Sequence, residues 1–212
     1  MHIDARASHR IARTDWEDFV ALCYFGREGD WLDRCIRRAY LDMNRTLHGM
    51  STFGGDHPEW KTTIVQVVRN RLMILARKPV WTMASFDAWH RESVEEMQRV
   101  SESHGFHLSV GQCQKWINMS IKYAVALGEP RVPGFSGVYD VAHVALDSIV
   151  LARLEDLEMP PLGHAWSKLD NYSLYMACQT WVREHCPGIP LETEYRLWQE
   201  DTRNVGENQE HR

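Results

Sequence analysis

Apolar positions recur along this chain at helical intervals, and punctuation residues separate the runs. Phe19, Val20, Leu22 and Cys23 follow Thr14-Asp15-Trp16-Glu17, which has the form of a capping box. Gly29-Asp30 opens a second run, with Leu32, Cys35, Ile36 and Tyr40 on one face. Gly49 to Pro58 reads as a loop around Gly54-Gly55, with Asp56 placed to cap the next helix and Pro58 in its first turn. That helix carries Trp60, Ile64, Val67, Val68, Leu72 and Leu75 and ends near Pro79. Ser85 is the expected cap of the one after it, where Phe86, Trp89, Val94, Met97 and Val100 keep helical spacing up to Gly105.

Ser109 opens a strongly apolar helix that runs to Leu127, and Gly128 to Gly137, with Pro130 and Pro133, forms a loop. Further helices are expected from Tyr139 or Asp147 to Leu157, from Asp170 to Glu184 and from Leu191 to Glu200, with Pro160-Pro161 as a break. No stretch sustains the period-two alternation of a half-buried strand. The pattern predicts an all-α fold, a single two-lobed helical domain over residues 1–200, with a polar tail over 201–212.

Composition narrows the classes. A chain of 212 residues, 44% hydrophobic and 25% charged, is long enough and apolar enough to bury its own core. Its five cysteines are odd in number and show no C-x-x-C pair or four-cysteine run. A disulfide framework, a zinc knuckle and an iron–sulfur centre are thereby disfavoured, and the reading is free thiols with no metal and no cofactor. The polar start Met-His-Ile-Asp-Ala-Arg has no apolar signal core behind it, and no run approaches a membrane span, so a cytoplasmic protein without membrane contact is expected. Net charge is −5, which at first counts against nucleic acid, but the acid sits late. Residues 1–80 hold 13 Lys/Arg against 10 Asp/Glu, and residues 136–212 hold 6 against 13. The first part therefore permits a basic face.

The candidate chemistry lies in residues 108–153. Val110-Gly111 leads into a helix bearing Gln112, Lys115, Asn118 and Lys122. A Pro/Gly-rich loop follows, and then His143-Val-Ala-Leu-Asp147-Ser-Ile-Val-Leu-Ala-Arg153, in which Asp147 is placed to cap a helix N-terminus. This order resembles the helix-hairpin-helix (HhH-GPD) DNA glycosylases, whose hallmark is a leucine-proline-glycine-valine-glycine hairpin, a lysine helix and a capped aspartate. Val110-Gly111 and Lys115-Trp116-Ile117-Asn118 resemble the hairpin and lysine helix, and Leu146-Asp147-Ser148 resembles the aspartate segment. Lys115 and Asp147 are 32 residues apart, an interval similar to that of the archaeal 8-oxoguanine glycosylase branch. Ser109 stands where the hairpin proline would be, either the second hairpin glycine is missing or Lys115 lies two residues late, and Leu146 replaces a valine.

The resemblance implies excision of a modified base from double-stranded DNA by a monomeric enzyme. Cleaving an N-glycosidic bond builds positive charge on the sugar, and a carboxylate beside C1′, Asp147, stabilises it or activates a water. Lys115 is implied as an amine nucleophile forming a Schiff base, or as a phosphate-positioning cation, with Lys122 as second choice. Gly111 and Gln112 would face the DNA backbone. The target base leaves the stack, so an aromatic pocket is expected, with Trp81, Trp89, Trp116, Trp166 and His143 as candidates. The substrate is an oxidised purine or, in a defence role, a hypermodified phage base. Taken singly, a lysine on an amphipathic helix is usually solvated, an aspartate before a helix is usually a cap, and tryptophans are usually core.

Two other classes fit parts of the chain. Arg99 and His104 have the R-x-x-x-x-H spacing of HEPN-type helical ribonucleases. A non-enzymatic interaction protein would use exposed aromatics as a partner surface and would leave Lys115 and Asp147 apart or in solvent. A metal set of Asp140, His143 and Asp147 has helical spacing, but a satisfied core histidine is the ordinary outcome.

Overall fold

The computed structural model describes residues 12–48 and 57–207. Among them are eight α-helices and no strand. In chain order they are α1 (Arg13–Phe25), α2 (Trp31–Met43), α3 (His57–Arg77), α4 (Met83–Ser103), α5 (Val110–Leu127), α6 (Ser148–Asp156), α7 (Tyr172–His185) and α8 (Pro190–Glu207). Each contributes to one buried apolar cluster. No described helix is long and apolar enough to cross a membrane.

Helix α5 is the axis of the fold. It packs against α2, α4 and α7, and every residue from Val110 to Ala124 is buried. A helix buried on all faces is normally apolar all round. Here it also carries Gln112, Gln114, Lys115, Asn118, Ser120 and Lys122, and each of these side chains has a hydrogen-bond partner.

Several element boundaries differ from expectation for local reasons. At α1 the cap residue is Ala12, without a side-chain cap bond, and Thr14-Asp15-Trp16-Glu17 lies inside the helix. Glu17, needed for the box, accepts from Arg13 Nε at 2.7 Å instead. The cap of α4 is Thr82, and Ser85 is the reciprocal partner in its capping box. Trp81 and Phe86 then form the apolar staple, with ring centroids 6.4 Å apart. Asn171, not Asp170, caps α7. Asp170 instead holds the start of α5, accepting from Val110 N. Helix α8 runs through the first part of the expected tail to Glu207, since no breaker precedes Gly206. Asp56 lies outside the described residues.

The fold's least regular buried part is the segment from Ala142 to Asp147. It has no helix or strand, yet all six residues are buried. Irregular buried backbone needs partners from elsewhere. Gln179 of α7 bonds both Val144 N and Val144 O, at 3.0 and 2.9 Å. Glu194 of α8 accepts from Ala145 N at 2.9 Å. Gln114 of α5 accepts from Leu146 N at 3.1 Å and donates to Leu146 O at 2.8 Å. Three side chains from three helices thus clamp three consecutive residues and fix where Asp147 emerges.

Candidate functional site

Asp147 caps α6. Its Oδ1 accepts from Ile149 N and Val150 N at 3.0 and 2.9 Å. Its Oδ2 takes the Lys115 Nζ at 2.5 Å. The two side chains are only 4% (Lys115) and 10% (Asp147) exposed, so this is a buried ion pair. Asp147 nonetheless lies just beneath the surface, because the next residue, Ser148, is exposed. Residues 32 apart in sequence are thereby brought into direct contact. Chemically the pair offers a carboxylate held at a helix N-terminus and an amine that can pass a proton to it over one hydrogen bond.

The other expected site residues are placed differently. Gly111 is buried where α5 meets the 3-10 turn Trp166–Lys168; its N–H donates to Leu169 O at 2.7 Å. A Cβ at this position would lie 1.9 Å from Trp166 O. Gly111 therefore serves close helix–loop packing, and its amide is not free for a phosphate. Gln112 is also buried: its Oε1 accepts from Ser109 N and its Nε2 donates to Thr46 O, so it acts as a cap partner. Lys122 pairs with the buried Glu194 at 2.5 Å, about 10 Å along α5 from Lys115. It is committed to the clamp on Ala145 and does not join the Asp147 site.

Of the four tryptophans, Trp116 is fully buried and donates to Ile36 O at 3.0 Å. Trp89 is buried and donates to Arg71 O. Trp81 is half-buried, with its indole N–H on Leu75 O. These three are core or cap residues. Trp166 is half-buried, and its segment abuts the first turn of α5, one turn before Lys115. It is the one of the four that lies outside the core and cap contacts, with its backbone carbonyl against Gly111.

His143 belongs to a polar cluster inside the fold. Its Nε2 lies 2.7 Å from Asp87 Oδ1 and its Nδ1 2.8 Å from Tyr175 OH. Asp87 also takes both guanidinium nitrogens of Arg183, at 2.6 and 2.9 Å. Burial pushes the Asp87 carboxyl up, but hydrogen bonds from Arg183 and His143 outweigh it and hold the group well below the usual carboxylate range. Burial lowers His143, and the Arg183 charge adds to this against the raising effect of Asp87. A neutral His143 facing a carboxylate must donate from Nε2, so its Nδ1 accepts from the Tyr175 hydroxyl. His90 stacks on Tyr175 with centroids 5.1 Å apart and bonds Asn118 Oδ1 and Tyr172 OH. Both ring nitrogens of His143 are thus occupied, and Asp147 is held by Lys115, so Asp140, His143 and Asp147 do not converge on a metal. Among the described residues no group of three or more His, Cys, Asp or Glu is arranged for one.

His104 ends α4 and its Nδ1 lies 3.0 Å from Val100 O, while Arg99 is exposed on the same helix. The residues sequence reasoning missed are Gln114, Gln179 and Glu194, which clamp the segment before Asp147, and Asp87, His90, Tyr175 and Arg183 of the inner cluster. Gln114 and Asn118 at helical spacing on an apolar helix were a usable sign of buried polar work; their long-range partners carry no local signal. Compared with known proteins, the chain matches no family model, no curated protein and no solved structure.

Proposed function

We propose that this protein is a metal-independent DNA glycosylase that releases a modified or damaged base, built on a two-lobed helix-hairpin-helix plan. The observation that carries the reading is the meeting of Lys115 and Asp147 at 2.5 Å, with Asp147 at the N-terminus of α6. In the proposed reaction a flipped nucleotide enters beside Ser148 and Trp166. Asp147 stabilises the positive sugar as the C1′–N bond breaks, and the departing base takes the bonding electrons. Water then adds at C1′ and the proton it loses goes to the departed base, giving an abasic site and the free base. In the bifunctional variant Lys115, after passing its proton to Asp147, attacks C1′ in place of water; the C1′–O4′ bond then breaks, O4′ takes the proton back from Asp147, and the resulting Schiff base leads to strand cleavage. The substrate is an oxidised purine or a hypermodified phage base.

The test is mass spectrometry of free bases released from oxidised, alkylated, deaminated and phage-hypermodified DNA. Wild type is expected to release one base and Asp147→Asn none, with Asp147→Asn still folded by circular dichroism. Borohydride is expected to trap a covalent adduct in wild type and not in Lys115→Ala; base release without any adduct assigns the monofunctional path. No release from any DNA overturns the reading. A second reading, as an interaction protein, is favoured by α1, where Trp16 and Phe19 are 57% and 58% exposed.

A further inference from the structure

A cavity of about 540 Å³ opens where the start of α2, the end of α3 and the loop 131–135 meet. It shares no lining residue with the Lys115–Asp147 pair. Its volume falls in the range of small-molecule sites, about 300–1,000 Å³. Its floor is apolar: Leu32, Val132 and Phe135 are buried there. Its walls are held in place. Gly134, with φ +93°, lies so close to α3 that a Cβ would meet Ala76 O at 2.4 Å. Glu129 closes the loop from the other side, accepting from Gly134 N and Ser136 N, both at 2.7 Å.

The rim carries four arginines, Arg34, Arg69, Arg77 and Arg131, and one carboxylate, Asp30. Their states differ. Arg69 is locked to Asp30 and Asp33, at 2.7 and 2.6 Å, and is neutralised. Arg131 pairs with Asp18, whose side chain is 55% exposed; a surface pair of this kind is weak and exchangeable. Arg34 donates to the carbonyls of Gly29 and Arg27, with its guanidinium 4.3 Å over the Trp31 ring, and makes no ion pair among the described residues. Arg77 is exposed and has no partner among the described residues. Two guanidinium charges without counter-ions among the described residues, and a third that can exchange its own, therefore line the rim above an apolar floor. Guanidinium forks match phosphate oxygens. Arg34 and Arg131 both face the Trp31 ring, at 4.3 and 5.9 Å from its centroid, so Trp31 holds these two cations at the rim and the apolar surface left to a ligand is that of Val132 and Phe135.

We propose that this cavity binds a small organic anion with a flat apolar body, of the nucleoside monophosphate class. The phosphate sits among Arg34, Arg77 and Arg131, and the ring lies on the apolar floor made by Val132 and Phe135. The site is separate from base excision and stands or falls without it. Isothermal titration of the full chain with nucleoside monophosphates, the parent nucleosides and inorganic phosphate tests it. At least one monophosphate is expected to bind at one site, at least tenfold tighter than its nucleoside and than inorganic phosphate. Arg77→Ala, at an exposed position, is expected to weaken it about tenfold. Met73→Trp, which fills the cavity from its rim, is expected to abolish it, while Asp147→Asn leaves it unchanged. The proposal is overturned if no monophosphate binds, if the nucleosides bind as tightly, or if Arg77→Ala and Met73→Trp both bind like wild type.

Discussion

At the scale of single residues, the Lys115–Asp147 contact makes a sharp energetic statement. Asn is as good a cap as Asp, so Asp147→Asn keeps the bonds to Ile149 N and Val150 N. It leaves the Lys115 ammonium buried without its partner, and breaking a buried pair costs about 3–5 kcal/mol. Urea unfolding of Asp147→Asn should show a loss of this order, and Lys115→Met combined with Asp147→Asn should recover most of it. A loss below about 1 kcal/mol in the single variant would mean that Lys115 reaches water. Gly111→Ala should be destabilising by at least about 2 kcal/mol, because the new methyl meets the Trp166 carbonyl and backbone cannot step aside cheaply; a thermal midpoint equal to wild type would contradict that packing. These residues also mark what sequence could convey. Asp147 as a cap and Lys115 on an apolar helix were legible because cap and face are local properties. Gly111 was legible as special, but its reason was not, since Trp166 lies 55 positions later. Lys122 looked equivalent to Lys115 by face, and only the distant Glu194 separates their roles.

At the scale of elements, most helices were readable from period and punctuation, and the misreadings share a cause. Thr14 to Glu17 has the letters of a box, but Arg13 competes for the glutamate. Ser85 was a sound cap residue that works as the third-position partner of Thr82. Both are choices among local hydrogen bonds of similar strength. Of the two expected starts of the next helix, Tyr139 and Asp147, the structure has the later, with Asp147 as cap; the segment 142–147 before it is irregular because side chains of α5, α7 and α8 satisfy its backbone, and no window of sequence contains those partners. Helix α6 ends with Met159 N donating to Leu154 O at 2.9 Å, and this closure places Glu158 at φ 74°, the one non-glycine residue described with positive φ. The left-handed conformation costs an L-residue about 1–2 kcal/mol, part of which glycine's extra unfolded-state freedom cancels. Glu158→Gly is therefore expected to stabilise the fold by about 0.5–1 kcal/mol, seen as a higher urea midpoint. A lower midpoint would show that the Glu158 side chain contributes more than its strain.

At the scale of the whole molecule, the inner cluster ties α4, α5, α7 and the 142–147 segment together through neutral histidines, and this gives stability a definite pH dependence. Burial, with His143 beside it, lowers His90 well below 6.5, and burial lowers His143 as well. In the unfolded chain both protonate near 6.5. Groups with depressed folded-state pKa contribute stability that is full above the unfolded value and is lost as pH falls below it. Each histidine contributes a slope of up to about 1.4 kcal/mol per pH unit below 6.5. Asp87, also depressed, acts with the same sign but only below its unfolded value of 3.8. His107 has the opposite sign: burial lowers it, the bonds it donates to Glu102 and Asp170 outweigh this, and its contribution is lost as pH rises through its raised value. Its side chain is 53% exposed, so solvent screening leaves it the weaker effect. The urea midpoint should therefore change little between pH 7 and 8 and fall steeply from pH 6.5 to 5. The slope should be halved in His90→Asn, which starts from a lower midpoint at pH 7. A flat profile down to pH 5 would place protonated histidines inside the fold and break the assigned tautomers. Because α5 carries both Asn118, which touches this cluster, and Lys115, which touches Asp147, acid that opens the cluster should also loosen the candidate site. Loss of structure by near-ultraviolet circular dichroism and loss of the Lys115–Asp147 pair, read from lysine reactivity toward an acylating reagent at each pH, should then share one midpoint; separate midpoints would show that the two sites unfold independently.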